Sequence, residues 1–143
     1  MLKGARGFTT IELVVVAVLA AMILAVGVGN MRGALAREEI DGWVRAIVHD
    51  VTAGQQAAVT RRMPVTAVFQ NQTYTIAVSG GGTLRNDTLP SHITFGPALQ
   101  SVTFDRRGTP STVFNLTVSS ATAGRSYTIQ VAAGTGRVTF SEP

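Results

Sequence analysis

The sequence predicts an α+β fold in which a long N-terminal helix, embedded in a membrane over its first half, packs on an antiparallel β-sheet domain. Three observations support this prediction: an apolar stretch from Leu13 to Met31 without any ionisable residue, apolar side chains that recur at helical spacing as far as Val51, and short alternating runs after Pro64. The chain has 143 residues, of which 45% are hydrophobic and 14% charged, so it is long enough for one folded domain with an appendage and too apolar for intrinsic disorder.

Residues 1–7 form a short basic segment that contains no acidic residue. The apolar stretch from Leu13 to Val28 would measure about 24 Å as a helix, because each helical residue rises about 1.5 Å. The hydrocarbon core of a bilayer is about 30 Å thick, and flanking apolar residues together with bilayer thinning make up the difference. We therefore expect residues 8–31 to form a transmembrane and assembly helix, with its N-terminal end in the cytoplasm according to the positive-inside rule.

A secretory signal peptide is the competing interpretation, since it also begins with a basic segment and an apolar core. Two features argue against it: the apolar stretch is longer than a usual signal core, and Glu12 lies near its beginning. A carboxylate at that depth costs on the order of 3 kcal/mol on insertion scales, so we expect it to have a partner or a function. Snorkelling of Glu12 to the lipid headgroups is the simpler explanation, and these residue arguments leave it open.

The string GFTTIELVVV, residues 7–16, closely resembles the type IV prepilin signature. In that family a short basic leader is cut directly after the glycine, and the new N-terminal phenylalanine is methylated. The resemblance implies that residues 1–7 are the leader, that Gly7 is the cleavage residue and Phe8 the methylated terminus, and that Glu12 guides assembly. In a staggered stack of such helices, Glu12 of one subunit would pair with the terminal amine of its neighbour, which relieves two buried charges at once.

Residues 32–62 are expected to continue the helix beyond the membrane. Ile40, Val44, Ile47 and Val51 are spaced by three and four, as a single buried stripe requires. The spacing of Asp41 and Arg45 predicts an ion pair on the helix surface. Pro64 disfavours helical geometry at the preceding residue and so ends the helix.

The remaining segment, residues 63–143, is rich in threonine, valine, serine and glycine and predicts an antiparallel β globular domain. Strands this close together, without intervening helices, pair antiparallel by default, and one helix with such a domain is an α+β arrangement. The predicted strands are Val65–Phe69, Thr73–Val78, His92–Phe95, Val102–Phe104, Val113–Val118, Tyr127–Val131 and Arg137–Phe140.

Four short motifs of this domain resemble the GspH/FimT group of minor pilins and pseudopilins. They are the segment AAVTRRMPV at residues 57–65, Ile93-Thr94-Phe95 followed by glycine, the FDRRG turn at residues 104–108, and Gly136-Arg137-Val138.

Together with the leader, these motifs imply a subunit of a type IV pilus or type II secretion filament that assembles through its hydrophobic helix. The implied location is the cytoplasmic (inner) membrane, crossed once, with the C-terminal domain in the periplasm, and a pilus or pseudopilus after assembly. The implied partners are other pilin subunits, the prepilin peptidase/methyltransferase and the assembly platform. The residues leave open which of the two machines the chain serves.

Catalytic chemistry has no support in the residue types. Without cysteine there is no disulfide, thiolate metal site or cysteine nucleophile. His49 and His92 lack metal-ligand spacing, and the glycine run at residues 80–82 lacks the lysine of a phosphate loop. We therefore predict that the protein is not an enzyme and has no metal or cofactor.

Arginine residues are the remaining feature of functional interest, and the formal net charge is +4. Arg61 and Arg62 follow the helix, Arg106 and Arg107 lie in a predicted turn, and Arg125 and Arg137 flank the last predicted hairpin. The last four are candidate DNA-binding residues, because exposed guanidinium groups bind phosphates without sequence preference. The alternative function is therefore a pilus-displayed, DNA-binding minor pilin for natural transformation. Ordinary surface arginines that keep a poorly charged domain soluble are the simpler explanation, and an adhesin released by signal peptidase is a third alternative.

Overall fold

The computed structural model describes residues 9–142, and it describes only the backbone of residues 26–30. The chain divides into two compact units, Met1–Leu35 and Ala36–Pro143. Helix α1 spans Thr10–Arg61. Eight strands follow: β1 (Val65–Gln70), β2 (Thr73–Val78), β3 (Thr83–Thr88), β4 (Ile93–Gly96), β5 (Leu99–Phe104), β6 (Phe114–Ser120), β7 (Arg125–Val131) and β8 (Val138–Ser141).

The strands form two four-stranded antiparallel sheets, ordered β3-β2-β1-β5 and β4-β6-β7-β8. The α+β class, the long helix and the antiparallel pairing are confirmed, but residues 9–142 form eight strands, in two sheets, where seven strands were expected. The additional strand is β3, with the sequence TLRNDT. It is polar and largely exposed because it is an edge strand that pairs only with β2, so it lacks the apolar alternation that reveals a strand in a sequence.

The second half of α1 packs on the sheets through the predicted stripe. Ile40, Val44, Ile47 and Val51 are all buried, which confirms that prediction. Gly54 lies on the same helix, next to Ile76 of β2. A Cβ atom at residue 54 would lie 3.0 Å from Cγ2 of Ile76, so the absence of a side chain allows the helix to pack this closely.

The end of α1 is formed by a Schellman motif. Arg62 adopts a left-handed conformation with φ of 53°, its amide donates to the carbonyl of Val59, and the amide of Met63 donates to the carbonyl of Ala58. These two bonds satisfy carbonyls that the helix end would leave unpaired. The helix therefore ends at Arg61, close to the stop that Pro64 predicts.

Candidate functional site

Glu12 lies in the first turn of α1 and forms a capping box with Thr9. The Thr9 amide donates to Oε2 of Glu12 at 3.4 Å, and the Glu12 amide donates to Oγ1 of Thr9 at 3.3 Å. Each bond satisfies an amide that would otherwise lack a partner at the helix start. This capping role is missing from the expected roles of Glu12, although threonine three residues before glutamate is its sequence signal. Glu12 is exposed, and within residues 9–142 its second carboxylate oxygen, Oε1, makes no hydrogen bond.

The apolar side chains in the first part of α1 are exposed to solvent in this single chain. No stretch of helix among the residues that the structure describes is long and apolar enough to cross a membrane. Gly7 and Phe8, the predicted cleavage and methylation residues, lie outside the described residues. The exposed large hydrophobic residues of this segment are Ile11, Leu13, Val14, Val15, Val16, Val18, Leu19, Met22, Ile23 and Leu24.

A first polar cluster, the Tyr74 clasp, joins the helix to the sheet that contains β2. The hydroxyl of Tyr74 donates to Oδ2 of Asp50 at 2.7 Å. Nε of Arg85 lies 3.1 Å from Oδ2 of Asp50 and 2.6 Å from Oδ2 of Asp87. Burial, followed by the hydrogen bond to Asp50, raises the pKa of Tyr74 well above its usual value, so the hydroxyl stays protonated and remains a donor.

A second cluster, the Tyr127 clasp, repeats this arrangement on the other sheet. The hydroxyl of Tyr127 donates to Oδ1 of Asp41 at 2.5 Å. Nη1 of Arg125 donates to that hydroxyl at 3.1 Å and lies 3.5 Å from Oδ2 of Asp41, while its Nε lies 3.3 Å from Oε1 of Glu142. The expected ion pair of Asp41 with Arg45 does not form, because strand β7 supplies both partners of this carboxylate.

Three segments meet at a third place, the Gln55 junction, which consists of α1 around Gln55, the turn at residues 105–109 and the turn at residues 132–137. Nε2 of Gln55 donates to the carbonyl of Gly108 at 2.8 Å. A Cβ atom at Gly136 would lie 2.8 Å from that same carbonyl oxygen, and one at Gly108 would lie 2.9 Å from Cγ2 of Val59. Both glycines have positive φ values, 76° for Gly108 and 65° for Gly136, so glycine is required here for conformation and for space.

The turn at residues 105–109 is held by its own aspartate. Oδ1 of Asp105 accepts hydrogen bonds from the amides of Arg107 and Thr109, each at 2.8 Å. These bonds, that of Thr109 first, hold the pKa of Asp105 below its usual value. Arg106 and Arg107 therefore project from an ordered turn.

The four candidate DNA-binding arginines lie in two different places. Arg106, Arg107 and Arg137 are exposed on segments of the Gln55 junction and make no ion pair within residues 9–142. Arg125 begins β7, six residues before Val131, which pairs with Val138 beside the turn. At about 3.3 Å per residue this places Arg125 roughly 20 Å from Arg137, at the other end of the hairpin.

Two further exposed arginines, Arg61 and Arg62, lie at the end of the helix. They follow Val59, which contacts the turn at Gly108. The sequence identifies them only as arginines that follow the helix, because nothing local connects the helix end with a turn more than forty residues later.

Each of the two histidines lies next to a carboxylate. Nδ1 of His49 lies 3.4 Å from Oδ1 of Asp50, and Nε2 of His92 lies 3.2 Å from Oε2 of Glu39. Among residues 9–142, no group of three or more side chains of the ligating types is placed to hold a metal ion.

Comparison with known proteins gives one family and one solved structure. The family described as type II transport protein GspH matches residues 44–135. No curated protein matches the sequence. The crystal structure of the type IV minor pilin FimU from Pseudomonas aeruginosa is similar, with a TM-score of 0.60 and 15% sequence identity over 76% of this chain and 95% of that chain. At this identity the likeness shows a shared fold, a long helix with antiparallel sheets.

Proposed function

Because the chain belongs to the GspH family of type II transport proteins, we propose that it is a minor pilin or pseudopilin subunit of a type IV pilus or type II secretion filament. The observation that carries the proposal is the family match over residues 44–135, to which the fold shared with FimU adds support. Family and fold are those of structural subunits, and we propose a structural function without catalysis.

Assembly is proposed to occur through the exposed apolar side chains of α1. An apolar surface of this extent on a single chain requires a cover. We propose that lipid provides it first, with residues 8–31 anchored in the inner membrane and the β domain in the periplasm, and that neighbouring helices replace the lipid in the filament. Lipid tails are as apolar as the helix, so this exchange has little hydrophobic driving force and depends on packing and polar pairing.

We propose that Glu12 supplies the polar pairing on which the exchange of lipid for neighbouring helices depends. The prepilin peptidase/methyltransferase would cut after Gly7 and methylate Phe8, and methylation leaves the terminal amine cationic. Oε2 of Glu12 is engaged with Thr9, and Oε1 has no hydrogen bond within residues 9–142, so it is available to the amine of a neighbouring subunit. Pairing of the two charges would set the register of subunits delivered by the assembly platform.

The capping box allows the charge of Glu12 to be tested separately from its helix-capping role. Glu12→Gln removes the charge and keeps a side chain suited to a capping box, whereas Thr9→Ala removes the cap and keeps the charge. We expect Glu12→Gln to be cleaved and inserted normally and to be lost from sheared filaments. Thr9→Ala should remain in them. Wild-type levels of Glu12→Gln in filaments would contradict an assembly role for the charge.

A second candidate function is the binding of DNA at the Gln55 junction. The observation that favours it is that Arg106, Arg107 and Arg137 lie on the two turns of this junction and have no ion pair within residues 9–142. An ordered surface of unpaired guanidinium groups is suited to phosphate contacts. Arg125 is excluded from this proposed surface because Asp41 and Glu142 already pair with it.

A further inference from the structure

The four strands at the edges of the two sheets differ in how their free backbone groups are protected. Folded proteins protect such edges with charged side chains, bulges or covering segments. Strand β3 carries Arg85 and Asp87, and its register with β2 is irregular. Pro110 forms a bridge to Phe104 and covers the edge of β5, and the loop between β1 and β2 accepts a hydrogen bond from the amide of Phe95 in β4. Three of the four edges are therefore protected.

Strand β8 has none of these protections in the part of the chain that the structure describes. Its sequence, VTFS, contains no charged residue, and its register with β7 is regular. Three of its four side chains are exposed and the fourth is half-buried. It pairs with β7 on one side, and within residues 9–142 no strand lies on its other side. Strand β8 is therefore an open edge of the second sheet.

The register of β7 and β8 determines which backbone groups of this edge are free. The amide of Ala132 donates to the carbonyl of Arg137 at 3.0 Å, so these two opposite residues are a hydrogen-bonded pair. Hydrogen-bonded and non-hydrogen-bonded pairs alternate along an antiparallel ladder. The next pair, Val131 with Val138, is therefore not hydrogen-bonded, and neither is the pair of Phe140. The N–H and C=O groups of Val138 and Phe140 thus point away from β7 and are available to another strand.

A cleft of about 290 Å³ lies beside this edge, between α1 and the hairpin of β7 and β8. The ring of Phe140 is 47% exposed there, and Val44 and Tyr127 are among the other residues that line the cleft. Arg125, also at the cleft, already has two carboxylates of its own chain as partners. A strand added next to β8 would place every second side chain beside Phe140 and over this cleft, where apolar side chains fit.

The opposite face of this sheet determines what the alternate side chains of an added strand should be. Thr139 lies opposite Gln130, and Ser141 lies opposite Thr128, on the face that points away from the core. On this face of β6, β7 and β8 every side chain carries a hydroxyl or an amide: Asn115, Thr117, Ser119, Ser126, Thr128, Gln130, Thr139 and Ser141. Small hydroxyl residues would continue this face.

We propose that β8 is a docking edge that accepts, in antiparallel orientation, an extended segment of another protein in which apolar residues alternate with serine or threonine. Backbone hydrogen bonds to Val138 and Phe140 hold the segment, and the cleft beside Phe140 selects its apolar side chains. The segment needs no charge, because the edge itself carries none.

A second copy of the chain does not fit this edge. Two β8 strands that pair antiparallel are related by a two-fold axis normal to the sheet, which reverses the direction of α1. Chains anchored in one membrane run in the same direction, so this exclusion rests on the anchoring proposed above. The edges of β3, β4 and β5 in a second copy are protected, as described.

A synthetic peptide tests the docking edge on the intact protein. The probe is a fluorescent peptide of alternating threonine and valine, mixed with full-length protein in detergent and followed by fluorescence anisotropy. In antiparallel addition the valines lie opposite Val138 and Phe140, so their amides donate to β8 and the threonine amides point away. N-methylation of the valines should weaken binding at least about tenfold. The same peptide methylated at its threonines is the matched control and should bind as well as the unmodified one. Equal binding of the unmodified and valine-methylated peptides, or no binding of the unmodified peptide, would overturn the proposal.

Two substitutions locate the peptide on the protein. Phe140→Lys places a charge on the edge and should abolish binding, whereas Leu99→Lys, at a 64% exposed residue of β5, should keep it. Binding that survives Phe140→Lys would overturn the proposal. Dimers of the full chain that Phe140→Lys abolishes would show a second copy on β8 and would also overturn it. If the peptide does not bind but Glu12→Gln alone is lost from filaments, this inference fails and the proposed function stands. If the peptide binds at β8 but the wild type enters no filament, the proposed function fails and the docking edge stands.

Discussion

Tyr74 and Tyr127 lie on different sheets, yet both donate their hydroxyl hydrogen bonds to aspartates of the same helix. Tyr74 bonds to Asp50 at 2.7 Å and Tyr127 to Asp41 at 2.5 Å. An arginine completes each pair, Arg85 in one and Arg125 in the other. The helix is thus fastened to both sheets by the same chemistry.

Replacing either tyrosine by phenylalanine should destabilise the protein. The substitution keeps the ring and removes one hydrogen bond to a charged group, worth about 1.5–3 kcal/mol. Tyr74→Phe should cost more, because the side chain of Asp50 is 15% exposed and that of Asp41 is 34% exposed. Urea unfolding of the full chain in detergent, followed by the fluorescence of Trp43, measures both effects. Thr94→Val, which removes an exposed bond to Ser119, is the control and should change little. Equal stability of all three variants and the wild type would show that the clasps contribute nothing.

Alkaline titration should reveal both clasps at once. Burial first raises the pKa of Tyr74, and the bond to Asp41 first raises that of Tyr127. A tyrosine whose pKa is higher in the folded chain than in the unfolded chain adds stability to the fold. This stability is fully present below the ordinary tyrosine pKa of about 10, and it is lost as the pH rises through the folded pKa. Native protein should therefore show little tyrosinate absorbance at pH 10, whereas protein in urea should be about half ionised. The chain has only two tyrosines, so half ionisation in the native state would contradict both clasps.

The two glycines Gly108 and Gly124 should respond differently to alanine. Both have positive φ, 76° and 62°, so each substitution incurs the left-handed cost of about 1–2 kcal/mol. The new Cβ at residue 108 would also meet Val59 at 2.9 Å, whereas nothing lies within 4 Å at residue 124. Gly108→Ala should therefore lower the urea midpoint more than Gly124→Ala. Equal effects would contradict the close packing of this turn on α1.

If the protein binds DNA at the Gln55 junction, substitutions of different arginines should have different effects on DNA binding. Replacing Arg106 and Arg107 by alanine should weaken binding to unrelated duplexes equally and flatten the slope of log affinity against log salt by up to about two. Arg125→Ala should leave that slope unchanged and lower stability, because its guanidinium belongs to the Tyr127 clasp. Retardation of DNA by full-length protein at several salt concentrations measures the slope. Absence of binding at low salt, or a slope that depends on Arg125 alone, would contradict the assignment of the Gln55 junction.

The sequence was informative wherever short-range patterns determine structure. The spacing of Ile40, Val44, Ile47 and Val51 predicted the buried face of α1, and alternation of apolar residues located seven strands. Strand β3 was missed because only its pairing with β2 identifies it.

Long-range contacts account for what short-range patterns could not predict. The rule for neighbouring turns of a helix paired Asp41 with Arg45, but Tyr127 and Arg125 are its partners, and both are more than eighty residues away. In the same way, the sequence gives the four candidate arginines as one set, whereas the fold separates Arg125 from Arg106, Arg107 and Arg137. The bond from Gln55 to Gly108, on which this division depends, has no local signal.

The N-terminal residue of the mature protein tests the central claim, that this chain is a processed filament subunit, most directly. Mass spectrometry of the N-terminal peptide, from protein purified out of the membrane or from sheared filaments, identifies that residue and its modification. We expect a chain that begins at Phe8 with a methylated amine. A chain that still begins at Met1, or one cut near Ala20 or Ala25 as by signal peptidase, would contradict the assignment.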